Sequence, residues 1–126
     1  MERTIAIKVG DIELEAVLNN SRTADAIWQA LPITAHADTW GDEVYFEIPV
    51  SLGLEKGQGL VAVGDLGYWP TGSAFCIFFG PTPISRAKEI RPASAVTVFG
   101  KVAGDATALK EVSSGVKVTV ERKSKG

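Results

Sequence analysis

Alternation of apolar and polar residues with a period of two dominates the chain. It runs through Ile5, Ile7 and Val9, then Ile12, Leu14, Ala16 and Leu18, then Val44, Phe46 and Ile48, and finally Val116, Val118 and Val120. Successive side chains of a strand point to opposite faces, so each set lays one apolar face on a core. Between the first two sets, Gly10-Asp11 tolerates the positive φ of a tight hairpin, which predicts an antiparallel pair. The pattern then takes a helical period at Ala24, Ile27, Trp28 and Leu31, with Asn20 or Ser21 placed to cap the start and Pro32 to stop it. Trp28 lies on the apolar stripe and reads as a core side chain rather than a ligand platform. A second, shorter helix is predicted from Asp105 as cap through Ala106, Ala108 and Leu109 to Val112, with Lys110 near its C-terminal end.

The other apolar segments are short strands broken at Gly41-Asp42, Gly53 to Gly59, Gly64-Asp65, Pro70-Thr71-Gly72 and Gly80-Pro81-Thr82-Pro83. Many short strands with few helices predict a closed or nearly closed barrel of about eight strands, because closure removes exposed sheet edges. No internal repeat and no linker divides the chain. One domain over 1–121 is expected, followed by a flexible basic tail over 122–126 that holds Arg122, Lys123 and Lys125.

Composition narrows the class of protein. The 126 residues are 45% hydrophobic and 22% charged, which suits one core that buries about two-thirds of the unfolded surface. A net charge of −2 supplies no basic face for a nucleic-acid backbone, so that partner is not expected. Cys76 is the single cysteine; no intrachain disulfide can form, which fits a reducing compartment. No long apolar stretch follows Met1-Glu2-Arg3-Thr4, so a cytoplasmic protein without a membrane span is expected.

Three segments carry a family resemblance. Thr71-Gly72-Ser73-Ala74-Phe75-Cys76-Ile77 resembles the cyclophilin stretch NGSQFFI, and Gly80-Pro81-Thr82-Pro83 is similar to the proline-containing loop that follows it. Ala95-Val96-Thr97-Val98-Phe99-Gly100-Lys101-Val102 resembles the strand HVVFGKV, and Tyr45-Phe46-Glu47-Ile48-Pro49 sits more loosely where cyclophilins carry FHRVIP. Order and spacing agree. With Trp40-Gly41-Asp42-Glu43 and Tyr68-Trp69-Pro70-Thr71-Gly72, the chain looks most like a small prokaryotic branch of minimal cyclophilin-like barrels of unassigned function. The resemblance implies a mainly β protein, a closed eight-stranded cyclophilin-like barrel with one clear helix and one short helix.

The same resemblance implies that the isomerase site is largely missing. Cyclophilins hold an arginine against the substrate near the prolyl amide, which weakens its double-bond character. Around Phe46 stand Glu47, Ile48 and Pro49, Ala74 replaces the family's glutamine, Cys76 its pocket phenylalanine, and Ile84 and Val96 fall near its tryptophan and histidine. Arg86 and Arg91, in the loop after Pro83, are the candidates for a relocated catalytic arginine.

Other chemistry lacks its parts. With His36 the only histidine and Cys76 the only cysteine, the usual zinc sites cannot be built in one chain, and no cofactor is expected. His36 falls on the strand face opposite Ile33 and Ala35, where it should meet solvent. Gly57-Gln58-Gly59 should be followed by a strand rather than the helix of a dinucleotide site, and reads as a turn. Ser73 precedes a strand instead of forming a nucleophile elbow, and Cys76 reads as a small buried filler that leaves a cleft-lining position open.

The most suggestive group joins Asp42, Glu43, Tyr45 and Glu47 near one hairpin to Tyr68, Trp69, Phe78 and Phe79 on neighbouring segments. Given the barrel that the resemblance implies, Tyr45, Trp69, Cys76, Phe78 and Thr82 would border a ligand cleft; the alternative is that the aromatic residues plug the barrel end. Glu43 is counted with them as a ligand-binding candidate, and reads as a solvated hairpin charge rather than a general acid. The leading expectation is a binding module with weak or absent isomerase activity, taking a short proline-containing peptide or a small ligand. A prolyl isomerase using Arg86 or Arg91 and an assembly subunit are the alternatives.

Overall fold

The computed structural model describes residues 3–123. Eight strands form a closed antiparallel barrel: β1 (Arg3–Val9), β2 (Ile12–Leu18), β3 (Ile33–Thr39), β4 (Glu43–Glu47), β5 (Asp65–Trp69), β6 (Ala74–Phe78), β7 (Thr97–Ala103) and β8 (Val116–Arg122). Around the barrel they run β1-β2-β7-β5-β6-β4-β3-β8, and β8 pairs back onto β1. The expected hairpin forms at Gly10, whose φ is +60°, with Val9 opposite Ile12.

Helix α1 (Arg22–Ala30) lies over this barrel and starts at Ser21, whose side chain accepts from the Ala24 amide. Its first turn has a second acceptor, because the Glu55 carboxylate takes hydrogen bonds from the Arg22 and Thr23 amides at 3.0 and 2.9 Å. An anion on these otherwise unpaired N–H groups ties the 51–64 loop to the helix start. The second helix, Ala106–Glu111, is 3-10 rather than α and is capped by Asp105 as expected. Trp28 is half-buried against the core, with the Arg122 guanidinium 4.7 Å from its ring and bonded to its carbonyl. Arg122 ends β8 and the Lys123 amide bonds the Thr4 carbonyl at 2.9 Å, so neither belongs to a free tail; the rest of the expected tail, 124–126, lies outside the described residues.

The inward faces of the strands form the main core, where Phe46 stacks on Phe75 at 4.8 Å and Phe75 meets Phe99 edge-on at 5.0 Å. Tyr68 belongs to this core rather than to a cleft. Its buried hydroxyl donates to the Val50 carbonyl at 2.6 Å and accepts from the Leu52 amide at 3.1 Å. The strand expected after Gly59 is absent, and the segment is a loop held by isolated bridges from Gln58 to Val96 and from Val61 to Ile90.

Strand β6 is buried along its whole length. Phe75 and Ile77 enter the barrel, while Ala74, Cys76 and Phe78 form a second cluster outside it with Ile90 and Val96. An unbroken apolar run is what a strand covered on both faces requires. Gly67 makes room for the outer layer, since a Cβ there would stand 2.9 Å from Val96 and 3.0 Å from Phe78.

Candidate functional site

The outer layer is incomplete next to Cys76, and the gap is a cleft of about 280 Å³ lined by Trp40, Glu43, Tyr45, Trp69, Cys76, Pro92, Ala93 and Val96. Local geometry assembles it. Glu43 and Tyr45 are two apart on β4 and share its outward face. Tyr45 stands opposite Cys76 on β6, and Trp69 on β5 stands opposite Ala74. The Trp40 amide donates to the Glu43 carbonyl at 2.9 Å, closing the tight turn whose Gly41 has a φ of +60°. A Cβ at Gly41 would meet Pro83 at 2.8 Å and the Thr82 backbone at 2.9 Å, so glycine permits both the turn and its contact with the 81–83 loop. On the far wall, the Trp69 indole N–H donates to Ser94 Oγ at 2.6 Å, fixing the ring against the 92–94 segment.

Four of the residues singled out in the sequence thus meet at one cleft: Glu43, Tyr45, Trp69 and Cys76. Phe78 does not. It shares the Cys76 face but is fully buried in the second cluster. Thr82 is also buried away from the cleft, where its hydroxyl donates to the Arg91 carbonyl and its amide donates to Ser85 Oγ at 2.9 Å. These bonds, with Arg91 N–H donating to Ser85 Oγ at 3.0 Å, clamp the two ends of the 82–91 loop together. Neither Arg86 nor Arg91 lines the cleft; the Arg91 side chain is held by Glu89 at 2.8 Å and Arg86 is exposed. His36 is exposed on β3, as expected from its alternation.

Glu43 is the main departure from the sequence reading. Rather than a solvated hairpin charge it is only 6% exposed. Burial raises its pKa from 4.5 to about 7, opposed only by a weak hydrogen bond from the Cys76 thiol. That thiol also faces the Ala74 carbonyl at 3.9 Å. Burial pushes the Cys76 pKa well up, and the Glu43 carboxyl pushes it further, so the thiol is a poor nucleophile at neutral pH. Tyr45 is raised by burial first and then by Asp38, Glu43 and Cys76. The cleft is therefore an aromatic recess with a buried acid at its base.

Trp40, Pro92, Ala93 and Val96 complete the lining but were not singled out as site residues in the sequence. Trp40 carried one usable signal, its place just before the Gly41-Asp42 turn and Glu43. The 92–96 segment is brought in by long-range packing; its one signal in the sequence was Val96, which falls near a pocket position of the cyclophilins, whereas nothing marked Pro92 and Ala93. A second groove of about 330 Å³ lies alongside, bordered by His36, Asp38, Glu47 and Gly72, and shares Tyr45 and Trp69 with the first.

A closed eight-stranded barrel with an outward-facing cleft beside its β4-β6 pair defines the structural class. Over residues 3–121 the chain matches the family described as Cyclophilin-like. The chain belongs to the cyclophilin-like family. It is similar to a hypothetical protein from Archaeoglobus fulgidus whose solution structure is known, with 42% identity over 97% of this chain and 95% of that one and a TM-score of 0.82. None of the curated proteins matches the chain. Among the described residues no helix is long and apolar enough to cross a membrane.

Proposed function

We propose that the protein is a binding module whose cleft takes a small ligand between the rings of Tyr45 and Trp69, above Glu43 and Cys76. The observation that carries this reading is the cleft itself. Its volume of about 280 Å³, its aromatic walls and its one buried acid have the character of small-molecule sites, which are mostly apolar with a few placed polar groups. A short proline-containing peptide is the second reading. The neighbouring groove shares Tyr45 and Trp69 and offers room for residues that flank a side chain seated in the cleft.

Isomerase activity is expected to be weak or absent. The cleft lining contains no arginine, and so no guanidinium to weaken the prolyl amide. Indole and amide shifts of the protein during titration with small ligands and a proline peptide, combined with cis/trans exchange rates of that peptide, test the reading. Saturable shifts at Trp40, Tyr45 and Trp69, weakened by Trp69→Ala and without faster exchange, are expected. Acceleration abolished by Arg86→Ala or Arg91→Ala would replace the binding module with an isomerase. Unchanged affinity of a confirmed ligand in the Trp69→Ala protein would remove Trp69 from the site.

A further inference from the structure

We infer that the cleft selects a small organic cation, an ammonium group held over the Trp40, Tyr45 and Trp69 rings with the Glu43 carboxylate as its counter-ion. The inference rests on the small-ligand reading above and names the chemical class of that ligand.

Glu43 is the observation that leads to it. A carboxylate only 6% exposed ordinarily has a cationic partner or several N–H donors, because an ionised group is costly to remove from water. Among the described residues Glu43 has no salt bridge, and its side chain has no hydrogen bond beyond the weak one from the Cys76 thiol. No fully buried oxygen of the described side chains lacks a partner, so a Glu43 oxygen without one keeps some access to solvent, and Glu43 lines the cleft. The acid is incomplete on the side from which a ligand arrives.

The surroundings favour a positive charge there. Three aromatic rings border the recess, and the face of an aromatic ring attracts cations, most strongly when water is excluded. The titratable groups that act on Glu43 and Tyr45 are acidic or neutral: Cys76 on β6, Tyr45 itself, and Asp38 on β3 acting on Tyr45; Asp42, next in the chain, is paired with Lys110 at 3.7 Å. The wall from 92 to 96 contributes Pro92, Ala93 and Val96. Arg91, adjacent in sequence, is paired with Glu89. An anionic ligand would meet an uncompensated like charge and a neutral one would require Glu43 to take up a proton, whereas an ammonium supplies the missing charge and N–H or C–H donors to the ionised group together.

Proton linkage gives the inference a second signature. A bound cation requires ionised Glu43, so protonation competes with it. With a pKa of about 7, the ionised fraction falls from about nine-tenths at pH 8 to about one-tenth at pH 6, and affinity should fall about tenfold.

The test is an NMR titration of the indole N–H resonances of Trp40 and Trp69 with benzylammonium, with tetramethylammonium, and with benzyl alcohol as the neutral counterpart. Saturable binding of both cations is expected, at least tenfold tighter than benzyl alcohol at pH 8 and about tenfold weaker at pH 6. Glu43→Gln should abolish both the preference and the pH dependence while the protein stays folded. Equal affinity for benzylammonium and benzyl alcohol, or pH-independent cation binding to the unaltered protein, would overturn the inference and leave the small-ligand cleft standing. If neither the three probes nor the proline peptide moved the indole signals, the binding-module reading would fall with it.

Discussion

Replacing Glu43 by Gln should stabilise the protein, in a way that depends on pH. Glutamine keeps the shape of the side chain and removes its ionisation. The folded pKa of about 7 against an ordinary value of 4.5 means that between these two pH values the native state binds a proton that the unfolded state has released. Stability from this group is fully present below the unfolded pKa and falls as pH rises through the folded one. A shift of about 2.5 units, each about 1.4 kcal/mol, makes the total loss about 3 kcal/mol. Carboxylates with lowered values, Glu55, Glu89 and Asp105, act in the opposite sense at more acidic pH and so leave this window clear. Urea unfolding of both proteins at pH 4.5, 6, 7 and 8.5 measures the effect. The Glu43→Gln protein should gain on the unaltered one progressively above pH 5, reaching about 3 kcal/mol at pH 8.5. Parallel curves at all four pH values would mean that Glu43 is ionised at ordinary cost, and the argument from its burial would be wrong.

Two other expectations concern how the site is supported. Tyr68→Phe removes the hydroxyl that joins the Val50 carbonyl to the Leu52 amide, and should cost about 1–2 kcal/mol in urea unfolding, with faster hydrogen exchange at Leu52; an unchanged exchange rate would mean that the loop is held otherwise. Gly67→Ala places a Cβ 2.9 Å from Val96 and 3.0 Å from Phe78, which should cost about 1–3 kcal/mol and move the Trp69 indole resonance through the displaced cleft wall, whereas unaltered stability would show the outer cluster to be loosely packed.

The barrel was legible because its signals are local and repeated. Ile5, Ile7 and Val9 alternate as a half-buried strand must, Gly10 marks the turn, and the helix start was placed at Asn20 or Ser21, of which Ser21 is the cap. The aromatic and acidic residues of the cleft were also visible as a group, since Glu43 and Tyr45 alternate on one strand and the resemblance to cyclophilins placed Trp69 and Cys76 beside them; the pairing of β4 and β5 with β6 brings them together. Which of the neighbouring aromatic residues reached the cleft was not legible. Tyr68, Trp69 and Phe78 have similar local surroundings in the sequence, yet Tyr68 enters the core, Trp69 borders the opening, and Phe78 disappears beneath the 90–96 segment.

By itself the sequence determined most of the strands and the capped helix, which follow from periodicity and turn chemistry, while the full closure of the barrel and the lack of a family arginine near Phe46 came from the resemblance to cyclophilins. Only the tertiary structure decided the state of Glu43. On β4 alone it is an outward charge beside a turn; the outer cluster of Cys76, Phe78, Ile90 and Val96 builds a wall beside that face and withdraws it from water. Burial by segments distant in the chain leaves no local trace, because desolvation depends on what packs around a group and not on what precedes it.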